Sequence, residues 1–323
     1  MRKISRFFSL VLFTLLVVLP SHAENLNLTG YADESGAISI QHEGATIDPY
    51  FVLQALLLAQ EYGFDTTQYS GKWATWLLSR QKPDATFDRY CKNGPVWAPC
   101  KNADADDSVL ALWLKFCDSL PTQIRMSLPM QKSRQLALAS LTKLVDPARG
   151  IYLVSPVYQH GLFMDNLEVW SYSAAHAAAE NSAHSNFARS IYKVFWDQAN
   201  QRFLVSTQPE QKAEPQKFYP DAVAQIFPLL SKYPFIPGGR ATHYHKWMQL
   251  HRNDWLIQVR SDFAWGLVAM VALKQGDVVS AGCWLKNALP HRHSAHWTVT
   301  DEVVLQILQS KKITVIENKE LCK

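Results

Sequence analysis

The stretch Lys101–Phe116, KNADADDSVLALWLKF, sets Asp104, Asp106 and Asp107 within four positions, directly before an apolar run at helical spacing. Aspartate is favoured at a helix start, where its carboxylate accepts from unpaired N–H groups of the first turn and meets the positive end of the helix dipole. Three acids exceed what one helix start uses, because a cap satisfies one or two N–H groups and close like charges repel. The stretch therefore predicts a helix over 107–118 and at least one carboxyl group that faces something besides its own backbone.

The same arrangement recurs along the chain. Apolar helical runs begin at or just after Asp48, Asp106, Asp165, Asp221, Asp262 and Asp301. Pro49 suits the first helical position after Asp48, and Glu168 stands three residues after Asp165 in a capping-box-like pair. Periodicity predicts helices over 49–62, 67–81, 107–118, 122–145, 166–179, 183–196, 221–232, 240–254, 262–275, 278–289 and 300–311. More polar helices, such as 122–145 and 240–254, alternate with the apolar ones. Two segments break the helical pattern and resemble each other, DPARGIYLVS from Asp146 and DQANQRFLVS from Asp197. Each reads as a turn leading into a short β-segment, so a helical hairpin with a β-containing loop is repeated.

An alternation of about six acid-started apolar helices with amphipathic ones resembles the (α/α)6 toroid of the six-hairpin glycosidases. The resemblance covers most of the chain after residue 23, is architectural, and carries no family-specific signature. Eleven clear helices are visible, which leaves the twelfth to the chain ends or loops. The resemblance implies an all-α toroid with short β-segments in its loops, parallel inner helices, and helix-starting acids gathered on one face around a cleft. It further implies a carbohydrate-active enzyme, most simply a glycoside hydrolase on a poly- or oligosaccharide, with two opposed carboxyl groups. On this reading Asp106, with Asp107 as the alternative, is the ionised carboxylate, and Glu43 or Asp165 is the opposing acid. Glu43 enters because it stands on a loop beside Gly44, five residues before Asp48, where partial desolvation suits a general acid. Tyr90, Trp97, Tyr158, Trp170, Tyr219 and Asp221 are the expected substrate-binding groups. Trp73, Phe87, Phe163 and Trp297 are further aromatics near the helix starts.

The first residues, MRKISRFFSLVLFTLLVVLPSHA, have the layout of a secretory signal peptide cut after Ala23. The expectation is a periplasmic or secreted protein whose residues 24–323 form one domain. Losing Arg2, Lys3 and Arg6 from 32 basic residues leaves 29 against 28 acidic ones. The electrostatic footprint of a nucleic-acid binder is missing. Cys91 and Cys100 bracket a short loop and form a plausible disulfide in an oxidising compartment. Cys117 and Cys283 read as buried thiols, and Cys322 lies at the tail.

Other chemistries are less supported. The acidic stretch also matches the Asp-x-Asp-Asp motif of class II terpene cyclases, but the chain lacks that family's size and Gln/Trp repeats. A Ca²⁺ site would want a glycine-containing loop that is absent. His243 and His245, and likewise His291, His293 and His296, lack zinc-ligand spacing. No serine-nucleophile, P-loop or dinucleotide motif appears, so no cofactor is expected. The competing readings are a non-catalytic saccharide-binding or envelope-assembly protein, and a lyase or isomerase on the same scaffold.

Overall fold

The computed structural model describes residues 24–176, 182–212, 216–318 and 320–322; the expected signal peptide, residues 1–23, lies outside them. Twelve helices are present among the described residues: α1 Pro49–Glu61, α2 Thr67–Leu78, α3 Asp106–Ser119, α4 Thr122–Arg125, α5 Leu128–Lys143, α6 Phe163–His176, α7 Ser182–Phe195, α8 Val223–Leu230, α9 Arg240–Ile257, α10 Gly266–Lys274, α11 Val278–Ala288 and α12 Val299–Ser310. No helix of the described residues is long and apolar enough to cross a membrane.

Six of these make a closed inner ring. Each of α1, α3, α6, α8, α10 and α12 packs on the next, and α12 packs back on α1. Outside the ring α5 covers α3, α7 covers α6, α9 covers α8 and α11 covers α10. The inner helices carry the apolar runs: Val109, Leu110, Trp113, Leu114 and Phe116 of α3 are at most 1% exposed, as are Ala269, Met270 and Val271 of α10. Among the described residues no α-helix follows α12 to act as its outer partner. The extended N-terminal segment takes that flank, with Gln306 Nε2 donating to Asn27 O at 2.7 Å and Asn27 N–H to Gln306 Oε1 at 3.0 Å.

The predicted helix over 122–145 is broken into α4 and α5, because Pro129 sits in the first turn of α5 and cannot continue a helix from before it. The predicted helix at 262–275 begins only at Gly266. The two repeated segments are two-stranded hairpins, β4 Val145–Asp146 with β5 Ile151–Tyr152, and β6 Trp196–Asp197 with β7 Arg202–Phe203. In each, the aspartate accepts from backbone N–H groups of its own turn. An amide side chain from the next inner helix then clamps the aromatic residue's backbone: Asn166 accepts from Tyr152 N–H and donates to its C=O, and Gln225 does the same to Phe203.

The stretch around Cys91 and Cys100 is a longer hairpin than its sequence suggested. Strands β2 Asp88–Asn93 and β3 Val96–Asn102 pair antiparallel, and β1 Thr46–Ile47 joins β2 at the edge. Gly94 opens the two-residue turn at φ 59°, a left-handed conformation that glycine adopts without cost. The Cys91–Cys100 disulfide ties the two strands. A second disulfide, Cys283–Cys322, corrects the expectation that Cys283 is a buried thiol; it pins the C-terminal segment to α11. Cys117 is free and buried.

Candidate active site

The N-terminal ends of the inner helices converge. A cavity of about 310 Å³ is lined by Tyr50, Phe51 and Gln54 of α1, Asp104 before α3, Met164 and Asp165 of α6, Tyr219 before α8, Trp265 and Gly266 at the start of α10, and Thr298, Thr300 and Asp301 at the start of α12. The C-terminal halves of the same ring meet at the other end around a smaller space of about 100 Å³, lined by Glu61, Lys115, Ser171 and Lys274 among others. Gln54, Phe227 and Leu267 line both spaces. The inner helices are therefore parallel.

Capping and cavity lining are divided unevenly among the six aspartates, and Asp301 does both. Asp48 is a true cap: it is 1% exposed and accepts from Tyr50 N–H at 3.0 Å. Its other oxygen receives Arg89 Nε at 2.5 Å. Asp301 belongs to a capping box with Thr298 and accepts Gly266 N–H at 2.7 Å. That approach needs a glycine, since a Cβ there would stand 2.8 Å from Asp301 Oδ1. Burial pushes the Asp301 carboxyl up to about 6. Asp262 faces the cavity and accepts Trp265 Nε1–H at 3.2 Å. Asp221 accepts Lys217 N–H at the turn before α8, on the outer side of the ring.

The opening acidic stretch splits three ways. Asp104, 55% exposed, lines the cavity and pairs with Arg89 at 3.4 Å. Asp106 does not line it; the charges acting on its carboxyl are Lys82, Asp84 and Asp88, beside the β2–β3 hairpin, and burial pushes it up to about 6. Asp107 is fully buried beneath the cavity, and its Oδ2 has no hydrogen-bond partner. Burial pushes Asp107 well above the usual carboxylate range, with the Glu168 charge adding to the shift.

Asp165 completes the acidic floor. It lines the cavity, keeps one oxygen buried without a partner, and is held well above the ordinary value first by burial and then by the Asp107 and Glu168 charges. Glu168, one turn on, accepts from Tyr50 Oη at 2.8 Å and from Ser108 Oγ. Burial raises it to about 7 despite those donors. Above the floor Tyr219 stacks on Trp265, ring centroids 4.9 Å apart. Burial raises the Tyr219 phenol to about 12, and Asp104, Asp165, Glu168 and Asp262 all add to that shift. Four acids thus surround one phenol.

Of the expected sugar-binding groups, Tyr219 lines this cavity. Tyr90 and Trp97 are 2% and 9% exposed: Tyr90 packs edge-on against Trp76, and Trp97 donates to Asp33 at 2.8 Å. They brace the β2–β3 hairpin and not the rim. Trp170 is buried between His184 and Tyr233. Tyr158 is exposed on the loop after β5, away from the cavity lining. Glu43 is exposed, with φ 51°, beside the stacked His42 and His293 rings, and does not line the cavity either. Trp73, Phe87, Phe163 and Trp297 are core residues. Sequence reading missed Arg89, Tyr50 and Trp265, gave Glu168 and Asp262 only helix-starting roles, and left Asp104 out of the expected catalytic pair. No group of three or more His, Cys, Asp or Glu side chains suited to a metal is found among the described residues.

A closed ring of parallel inner helices with acids at one end defines an all-α toroid of the (α/α)6 type. A solved structure described as a novel alpha-amylase from Clostridium perfringens is similar to it, with a TM-score of 0.59 at 9% identity, covering 87% of this chain and 94% of that one. At that identity the likeness is one of fold. No protein-family model matches the sequence, and no curated protein matches it at significance.

Proposed function

We propose that this chain is an exported glycoside hydrolase whose reaction takes place in the cavity at the N-terminal face of the ring. The observation that carries the reading is that Asp104 and Asp165 line one cavity in opposite environments. Asp165 is held above the ordinary carboxylate range by burial and by the neighbouring acids, which suits a general acid that protonates the leaving oxygen. Asp104 is solvent-facing and paired to a guanidinium, which suits the ionised partner. Tyr219 and Trp265 offer a stacked aromatic wall for a pyranose ring. Arg89 is the sole cationic side chain among the lining residues, against four aspartates, so a neutral or amino-bearing saccharide suits the cavity better than a polyuronate. The fold shared with an alpha-amylase supports a carbohydrate substrate. The two disulfides fit an oxidising compartment.

The test is reducing-end release by the purified protein on a panel of neutral, amino and acidic polysaccharides, with Asp165→Asn and Asp104→Asn measured beside it. Hydrolysis of a neutral or amino polymer, reduced by both substitutions, is the expected result. Saccharide binding without turnover, unchanged by either substitution, would instead support the binding-protein reading and overturn this one.

A further inference from the structure

A second cavity, of about 360 Å³, lies on the outside of the ring between the β6–β7 hairpin, the turn before α8, and α9. It shares a wall with the first: Tyr219 and Val223 line the inner cavity, while Asp221, Ala222 and Gln225 line this outer one. Arg202 and Lys246 line it with Trp196 and His243. The Arg202 Nε–H is buried with no acceptor. Native structures rarely leave a charged donor in that condition. Asp197 feels the Arg202 charge, yet neither it nor Asp221 receives a hydrogen bond from Arg202. Asp197, opposite Arg202 in the hairpin, accepts from Ala199 N–H, Asn200 N–H and Asn200 Nδ2, and Asp221 accepts Lys217 N–H. Trp196 gives its indole N–H to Gln198, stacks on Tyr192 and meets Phe203 edge-on, and the half-buried ring keeps the rest of its surface open.

We propose that this outer cavity is a second ligand site, for a hydroxylated ligand bearing one anionic group, a carboxylate or a phosphate. Arg202 and Lys246 meet the anion, and Trp196 covers the apolar face of the ring that carries it. A guanidinium with an unused, buried N–H forms the stronger, charge-assisted kind of hydrogen bond with such a group. His243 gives its Nε2 to the Gln225 carbonyl and acts as a neutral wall. The site does not depend on hydrolysis at the inner cavity.

Calorimetric titration of the whole protein with glucuronic acid, glucose 6-phosphate, inorganic phosphate and glucose tests the assignment. One of the two charged sugars is expected to bind, more tightly than glucose or phosphate alone. Arg202→Gln and Lys246→Gln should each weaken it by about tenfold or more, and Asp104→Asn should leave it unchanged. Lys246 is exposed, so its variant folds irrespective of Arg202. Three results would overturn the site: no binding of either charged sugar up to about 10 mM, equal binding of inorganic phosphate, or unchanged binding in the Lys246 and Arg202 variants. Which charged sugar binds distinguishes carboxylate from phosphate recognition.

Discussion

The Tyr50 phenol donates to Glu168 Oε1 at 2.8 Å, joining the first inner helix to the third directly beneath the cavity. Gln54 Nε2 in turn donates to the same phenolic oxygen at 3.1 Å. Glu168 is thereby fixed as the centre of a polar layer that also holds Ser108, and it joins α6, which carries Asp165, to α3, which follows Asp104.

Burial lifts Glu168 from 4.5 to about 7. A carboxyl group whose folded pKa lies above its unfolded value holds its proton more tightly in the native state. Its contribution to stability is therefore fully present below about pH 4.5 and is lost as pH rises through about 7. Stability of the wild-type protein should fall across that window, and Glu168→Gln should flatten the fall. Urea midpoints at a series of pH values check this; an unchanged slope in the variant would remove Glu168 as its source.

Asp107→Asn should stabilise the protein at pH 8, by about 1 to 2 kcal/mol, because it removes a carboxyl group with an unpartnered buried oxygen and supplies a donor in its place. Asp107 is also pushed up by burial, so the same linkage sign applies and the gain should shrink toward zero by pH 4. Thermal unfolding at both pH values measures it.

Asp106→Asn separates the two acids at the start of α3. It should leave saccharide turnover within about threefold of wild type, whereas Asp104→Asn should lower it by orders of magnitude. The contrast follows from Asp106 facing Lys82, Asp84 and Asp88 while Asp104 faces the cavity. Equal losses in both variants would return the catalytic role to the pair as a unit.

Arg89→Met should be costly beyond the loss of a half-buried side chain, since it strands the buried Asp48 carboxylate and frees Asp104. The expected loss is about 1 to 3 kcal/mol in stability, with turnover reduced as well. Denaturant unfolding at pH 7 reads the first, and kcat on the best polysaccharide the second.

Thiol titration of the unreduced protein in denaturant should find one reactive thiol per chain, Cys117. The loop closed by Cys283–Cys322 spans 39 residues against 9 for Cys91–Cys100, so its removal should cost the more, about 4 kcal/mol against 2 to 3. Paired serine variants compared by urea unfolding give both figures.

The ring was legible because burial imposes a period: every inner helix is an apolar run, and each begins near an aspartate that has a backbone or dipole reason to be there. The two small hairpins were legible as a repeat because the same Asp turn is used twice. The β2–β3 hairpin was less so, as its strands are mostly polar and its Asn-Gly turn was hidden within a cysteine-bracketed loop. The site was harder. Asp104, Asp106 and Asp107 are neighbours in sequence, but Asp104 precedes α3 and meets the cavity, while Asp106 and Asp107 in its first turn go to the hairpin and the buried floor. Which of them meets solvent depends on Arg89 and Asp165, both distant in the chain. The Cys283–Cys322 link was invisible for a like reason, since nothing local says that the last segment folds back over α11.

The closure of α12 against α1 also sets an order of events during synthesis. Thr300 Oγ1 donates to Phe51 O, and Asp301 holds the first amide of α10, so the cavity wall lacks one side until the last helix has left the ribosome. Until then the flank of α1 that α12 covers is an open apolar strip, the kind of surface that chaperones engage. Of the four aspartates that line the cavity, Asp301 is the last to join, so the ring closes and the site is completed by the same helix.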